Sequence, residues 1–183
     1  MTSSNVYKIV SNLKEDKVIF VPDRLMAENI KGYLDEKGIK KEIISSPGTC
    51  IVHDQFTPEQ IKLQRAKNKN LAIVSHPECP PGVTAESDFV GSTSAMMNYV
   101  TTTDFDEYLL LTECGLVSRL QSENPEKKFV MSCRLCPYMK KNTLDNIYDV
   151  LKTQDPLREV NVDPKVAKAA LASIEKMFEL AEA

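Results

Sequence analysis

Five cysteines and two histidines, with a few carboxylates beside them, are the residues of this chain best suited to chemistry. The cysteines stand at 50, 79, 114, 133 and 136, each shortly after an apolar run. Two of them are singled out by an internal repeat. Lys41-Glu-Ile-Ile-Ser-Ser-Pro-Gly-Thr-Cys50 aligns without a gap on Lys127-Lys-Phe-Val-Met-Ser-Cys-Arg-Leu-Cys136, an offset of 86 residues. Upstream, Thr2–Val10 aligns on Ser92–Val100 and Val18–Asp23 on Tyr108–Glu113, both at an offset of 90. A four-residue deletion between the blocks reconciles the two offsets. Duplicated units stack as similar blocks, so Cys50 and Cys136 can face one shared centre. Thiolates converging there could ligate zinc or an iron–sulfur cluster; the plainer alternative is two half-buried thiols kept by duplication. Cys133-Arg-Leu-Cys136 is also a CxxC, the spacing of a redox pair. A zinc site would want a second CxxC or a histidine pair, and neither is in the sequence.

His76-Pro77-Glu78 sets an imidazole and a carboxylate at the end of an apolar strand. With only His53 and His76 in the chain, any histidine acid–base role falls on one of these two. A strand-end histidine is more commonly a satisfied structural residue, and the neighbouring Glu78 favours function. Thr2-Ser3-Ser4 and Ser92-Thr93-Ser94 each lie between an apolar run and a helix. Hydroxyls and free N–H groups at a helix start can hold a carboxylate or phosphate, although N-capping explains either one alone. Their equivalence under the repeat points to a shared anion pocket. Asp23 and Glu113 are also repeat-equivalent and read as structural or capping acids.

Six apolar runs read as strands: Val18–Val21, Glu42–Ser45, Leu71–Ser75, Phe89–Gly91, Tyr108–Thr112 and Lys128–Ser132. They are apolar almost throughout, as strands covered on both faces are. Helices are expected over Asn5–Leu13, Arg24–Lys37, Thr57–Lys67, Ala95–Thr101, Leu116–Glu123 and Thr143–Lys152. Thr57-Pro-Glu-Gln60 carries a cap, a first-turn proline and a capping-box glutamine, and Thr143 takes the same cap position 86 residues on. The alternation predicts an α/β protein of repeated three-layer α/β/α units with short parallel sheets. Ligands of such sheets gather at the carboxyl ends of the strands, and the polar residues above cluster there.

The last segment, Asp163–Ala183, has apolar residues at helical spacing behind an Asp-Pro start, which predicts one amphipathic helix. The expected organisation is a partial domain over 1–49, a complete domain over 50–136 and a helical tail over 137–183. Shifting His76 back by 90 residues falls before Met1, so the first unit is expected to lack its opening strand and the chain to be N-terminally truncated. A net charge of −3 gives no footprint for nucleic acid. No apolar run approaches a membrane span, and the start resembles no signal peptide. A cytoplasmic location is therefore expected, and with it cysteines that do not form a disulfide framework.

Pro47-Gly-Thr-Cys-Ile-Val-His-Asp54, His76-Pro-Glu-Cys79, Asp88-Phe-Val-Gly-Ser-Thr-Ser94 and Cys136-Pro-Tyr-Met139 together resemble quinolinate synthases, the A proteins of NAD biosynthesis. Thr2-Ser-Ser-Asn5 and Phe20-Val-Pro-Asp23 resemble them too, and the match runs over nearly the whole chain in family order. The resemblance implies three pseudo-symmetric domains around one [4Fe-4S] cluster, each domain giving one cysteine and one iron staying open as a Lewis acid. It implies Cys50 and Cys136 as two cluster ligands, with the third cysteine upstream of anything in this chain. Cys79, Cys114 and Cys133 match no ligand position. It implies condensation of iminoaspartate with dihydroxyacetone phosphate to quinolinate, with an aspartate-oxidising enzyme supplying the iminoaspartate. By motif match Ser3, His76, Pro77, Glu78 and Thr93 would bind substrate, with His76 and Glu78 assisting proton transfers. The chain alone is expected to have little activity; an inactive fragment, a split-protein half and a CxxC redox or zinc module are the competing readings.

Overall fold

The computed structural model describes residues 1–182. Strands and helices alternate through most of it: α1 (Val6–Asn12), β1 (Lys17–Phe20), α2 (Arg24–Glu36), β2 (Glu42–Ser45), α3 (Pro58–Lys67), β3 (Leu71–Ser75), α4 (Pro81–Ala85), β4 (Phe89–Val90), α5 (Thr93–Thr102), β5 (Glu107–Leu111), α6 (Cys114–Glu123), β6 (Lys128–Phe129), α7 (Leu144–Thr153) and α8 (Pro164–Glu182). The strands form two parallel sheets, one of β1 and β2, the other in the order β4-β3-β5-β6. The α/β architecture expected from the alternation is the observed one.

The second sheet has helices on both faces, which explains why its strands read as apolar throughout. Leu71, Ile73, Leu109 and Leu111 point to one side and pack with Phe56, Ile61 of α3 and Val83 of α4. Ala72, Val74, Tyr108 and Leu110 point to the other and meet Met96 and Val100 of α5 and Val117 and Leu120 of α6. Each fully buried leucine contributes about 2 kcal/mol of hydrophobic stabilisation, so this unit holds a complete core. The first sheet is covered on one side only. Val18 and Phe20 pack against Val6 and Val10 of α1 and Met26, Ile30 and Leu34 of α2. On its opposite side Ile19 is 76% exposed, and Val21 and Ile44 are exposed with it.

The repeat shows what that bare side corresponds to. Ile19 and Val21 are the counterparts of Leu109 and Leu111, which are fully buried under α3. The counterpart of α3 is α7, whose bounds lie 86 residues further on. Ile61 of α3 is fully buried, whereas Ile147, its equivalent, is half exposed, as are most apolar residues of α7. Thus one sheet face and one helix face that the repeat covers in one copy are open in the other.

Helix starts follow their sequence signals. Thr57 and Gln60 make a reciprocal capping box and Thr143 accepts from Asn146 N at 3.2 Å. Asp163 caps α8, which runs to Glu182; Ala183, included in the expected tail helix, lies outside the described residues. Asn12 of α1 donates to Leu180 O at 3.0 Å, tying the end of α8 to the first unit. One expectation needs correction, and one element was not anticipated. Lys128–Ser132 pairs as a strand only over Lys128–Phe129, and the chain meets the extension of β5 again in the same register at the Glu113–Arg134 bridge. Pro81–Ala85 forms a short helix, α4, that periodicity over five residues could not announce.

Candidate active site

The carboxyl ends of β1, β2, β3 and β5 bring loop residues together, and the order of construction starts with two acids. Asp23 caps α2, accepting from Met26 N at 2.6 Å, and its second oxygen accepts from Cys50 N at 2.8 Å. Glu113 does the same one repeat later. One oxygen accepts from Gly115 N at 2.5 Å at the start of α6, the other from Cys136 N at 3.4 Å. Each acid therefore anchors a helix start and the backbone of the equivalent cysteine. Their reading as capping acids was correct but incomplete, since nothing in the spacing announced the cysteine amides. The loop before Cys50 also needs Gly48: a Cβ there would stand 2.7 Å from Pro22 O.

Cys50, His53 and Glu78 form the centre of the site. One ligand atom from each lies within 4.8 Å of the others. His53 follows Cys50 on a short 3-10 turn (His53–Gln55) and is buried. Its Nδ1 meets Glu78 Oε2 at 2.9 Å and its Nε2 meets the Thr112 hydroxyl at 3.1 Å. The ring stacks on His76, centroid to centroid 4.4 Å, with planes 15° apart. Glu78 N donates to His76 Nδ1 at 3.3 Å, which requires that nitrogen to be unprotonated. The His76–Cys79 loop is pinned from α2 by Asn29, which donates to the carbonyls of Pro77 and Cys79, both at 2.8 Å. Thr84 donates to Asn29 Oδ1 at 2.8 Å and fixes the amide's orientation.

Two stacked imidazoles beside anions must divide their charge. Burial by itself would lower the His53 pKa, but the hydrogen bonds and charges of Cys50 and Glu78 outweigh it and raise the pKa to about 9. Burial and the charge of His53 together push His76 down to about 4, against the pull of Glu78. Glu78 is lowered, chiefly by its bond from His53. Asp23 is raised by burial, opposed by the two amides that it accepts from. Near neutrality the array thus holds a cationic His53 bonded to an anionic Glu78, next to a neutral His76.

A cavity of about 140 Å³ opens beside this array, with Ser3, Pro22, Asp23 and Glu78 in its walls. Ser3 and Glu78, both expected to bind substrate, share that cavity, and His76 and Pro77 sit buried behind Glu78. Thr93 is elsewhere, exposed at the first position of α5, where Ser92 caps Ala95 N at 3.3 Å. At the other triplet Thr2 O accepts from Asn5 N and Val6 N, closing the turn into α1. Thr112 and Asn29 were not singled out from the sequence. His53 was named as one of the two histidines open to acid–base work, without its place beside Cys50 and Glu78.

The thiols fall into three kinds. Cys114 and Cys133 form a disulfide. This corrects the expectation of unpaired thiols, and it corrects the CxxC pairing, since Cys133 is bonded to Cys114 and not to Cys136. The reason is the sheet: β5 and β6 are parallel neighbours, and Arg134 N donates to Thr112 O while Cys114 N donates to Arg134 O. Their following residues leave the sheet side by side, with Cα atoms 4.9 Å apart. Cys79 is a core thiol, buried, bonded to Leu111 O, and pushed up to about 12 by burial. Cys50 and Cys136 are free and half-buried. Each lies on a loop beyond a strand with its amide held by an acid, a thiolate donor of the kind an iron–sulfur cluster takes. The third free cysteine among the described residues, Cys79, is engaged in the core.

The family profile of the quinolinate synthetase A protein matches residues 1–179. A quinolinate synthase of Sinorhizobium medicae is 41% identical over 179 residues, covering 98% of this chain and 48% of the relative. One from Xylella fastidiosa is 40% identical over 177 residues, covering 97% of this chain and 50% of the relative. One from Caulobacter vibrioides is 38% identical over 183 residues, with 98% and 48% covered. The chain spans about half the length of the curated relatives it matches. It contains no helix long and apolar enough to cross a membrane among the described residues. This chain belongs to the quinolinate synthetase A protein family.

Proposed function

We propose that this chain supplies part of a quinolinate synthase, which condenses iminoaspartate with dihydroxyacetone phosphate to quinolinate with loss of water and phosphate. The observation that carries the reading is the array of buried His53 and His76 with half-buried Glu78, set against Cys50 and opening on the cavity of Ser3. Cys50 and Cys136 would hold two positions of a [4Fe-4S] cluster, which when bound supplies a Lewis-acidic iron for a substrate carboxylate or hydroxyl. Ser3 would bind a substrate carboxylate through its hydroxyl, and Thr93 would do so only after the substrate or α5 reaches across. His76, neutral at physiological pH, is suited to accept a proton from substrate carbon or nitrogen. Glu78, held anionic by His53, would orient the substrate amine or relay that proton. An aspartate-oxidising enzyme would furnish the iminoaspartate, and a cytoplasmic setting suits both.

A second reading, that this chain needs the rest of the family's length to work, is favoured by the open faces. The division into a partial domain over 1–49, a complete one over 50–136 and a tail over 137–183 places the uncovered Ile19 face in the partial domain and the uncovered α7 face in the tail. Both would be closed by a third unit that also brings the third cysteine. The test is anaerobic cluster reconstitution of this chain alone and together with the separately expressed N-terminal half of a relative. Quinolinate is expected from the mixture only. Robust turnover by the chain alone would overturn the second reading, and no turnover from a mixture that forms a stable complex would overturn the first.

A further inference from the structure

We propose that Cys50, His53 and Glu78 form a binding site for a single borderline divalent cation, of the class of Zn²⁺ or Fe²⁺, distinct from cluster ligation by Cys50 and Cys136. The three donors are a thiolate, an imidazole nitrogen and a carboxylate oxygen, the mixture that such ions select. Their ligand atoms already lie within 4.8 Å of one another. Tetrahedral zinc with bonds of 2.0–2.3 Å holds its donors roughly 3.3–3.7 Å apart. The 2.9 Å approach of His53 Nδ1 to Glu78 Oε2 would therefore open slightly, and the widest separation would close by about an ångström.

The surroundings have the features of a held metal site. His53 Nε2 is engaged by the Thr112 hydroxyl, which fixes the ring and leaves Nδ1 directed at Glu78. Asp23 fixes the amide of Cys50, and the stacked ring of His76 keeps His53 from turning. Asn29 holds the loop that presents Glu78. Three protein donors leave a fourth position free for water or a substrate carboxylate, as in catalytic zinc sites, and Glu78 borders the cavity from which that ligand would come. Because Cys50 cannot serve both, the ion and the cluster exclude each other. The ion would occupy the centre whenever the cluster is not assembled, and would compete with its assembly.

The test uses the whole chain, purified with a phosphine reductant and freed of metal, and titrated with Co²⁺ alone. One equivalent is expected to give thiolate-to-cobalt charge transfer and visible d–d bands of a four-coordinate ion, displaced by Zn²⁺. Cys50→Ser should abolish the charge-transfer band. His53→Gln and Glu78→Gln should each weaken binding by at least about tenfold, and Cys136→Ser should leave it unchanged. Far-ultraviolet circular dichroism of each metal-free variant identifies any that fails to fold, and the double variant Cys114→Ser/Cys133→Ser shows that no other thiol is read. Loss of the band in Cys136→Ser, or its full persistence in folded His53→Gln and Glu78→Gln, would overturn the proposal. So would the lack of any band in the parent chain. Quinolinate formation plays no part in this readout, so the site stands or falls separately from the proposed reaction.

Discussion

The divided charge of the stacked histidines should show as a stability maximum near pH 6.5 in the metal-free chain. His53 has its pKa raised from an ordinary 6.5 to about 9. Its contribution is present in full below the unfolded pKa and is lost as pH rises through about 9. One pKa unit corresponds to 1.36 kcal/mol, so the contribution is roughly 3 kcal/mol, most of it lost between pH 6.5 and 9. His76 is lowered from 6.5 to about 4. The unfolded chain then binds the extra proton, and stability is lost as pH falls from about 6.5 towards 4, again by roughly 3 kcal/mol. Glu78, also lowered, adds to the acid limb below its ordinary range. The two side chains are under a tenth exposed, so solvent screening removes little of either effect. At about 2–4 °C per kcal/mol for a chain of this size, each limb is worth on the order of 6–12 °C in thermal midpoint. The assay is thermal unfolding at half-unit pH steps from 4.5 to 9.5, with chelator and reductant present. His53→Gln should flatten the alkaline limb and, by relieving His76 of a neighbouring positive charge, should also make the acid limb shallower. His76→Gln should flatten the acid limb. An alkaline limb that survives unchanged in His53→Gln would refute the charge assignment.

Other consequences can be measured on the same preparation. Asp23→Ala removes a helix cap and the anchor of Cys50 N, and should cost about 2 kcal/mol in urea unfolding while Asp23→Asn costs less; equal losses would mean that the carboxylate's charge and both its acceptors matter together. Non-reducing peptide mapping should recover a Cys114–Cys133 link, and reduction, which opens a loop of sequence separation 19, should lower stability by on the order of 3 kcal/mol; recovery of a Cys133–Cys136 link would refute the pairing. Leu109→Ala should cost about 2–5 kcal/mol, while Ile19→Ala, its repeat equivalent on the bare face, should cost under about 1 kcal/mol in the isolated chain. A similar loss at both positions would show that the Ile19 face is covered in solution.

The fold was legible because its strands are apolar throughout and its helices start at plain caps, so type and order could be read with bounds close to the observed ones. What failed was where local pattern is silent. A two-residue strand such as β6 and a five-residue helix such as α4 are set by the neighbours that they pack on, not by their own periodicity. Within the site, the cysteines and the His76-Pro77-Glu78 segment stand out by type and spacing. Thr112 and Asn29 do not, because a threonine at a strand end and an asparagine in a helix have many plain roles and acquire theirs here only from residues 59 and 48 positions away. The disulfide was missed for the same reason: the adjacency of Cys114 and Cys133 is a property of β5 lying beside β6.

The repeat itself carries more than a pair of cysteines. In both copies the sequence places an acid at the end of one strand and a cysteine beyond the next strand, and parallel pairing of the two strands makes them neighbours. The acid then satisfies two amides at once, one at a helix start and one at the cysteine, so helix position and thiol position are coupled through a single side chain. The coupling is tighter in the first copy, where Cys50 N lies 2.8 Å from Asp23, than in the second, where Cys136 N lies 3.4 Å from Glu113 and Lys140 Nζ stands 3.6 Å from the same carboxylate. The second loop also carries the disulfide, which ties it to α6 from the other side. The two loops are thus held by different means: Cys50 by its acid and by His53 in the adjacent turn, Cys136 by a weaker acid contact and a cross-linked loop. A ligand drawing on both thiols would find the Cys50 loop already in place and would have to draw in the Cys136 loop. That asymmetry favours the proposed lone cation at Cys50 and its neighbours over any ligand that would need both loops.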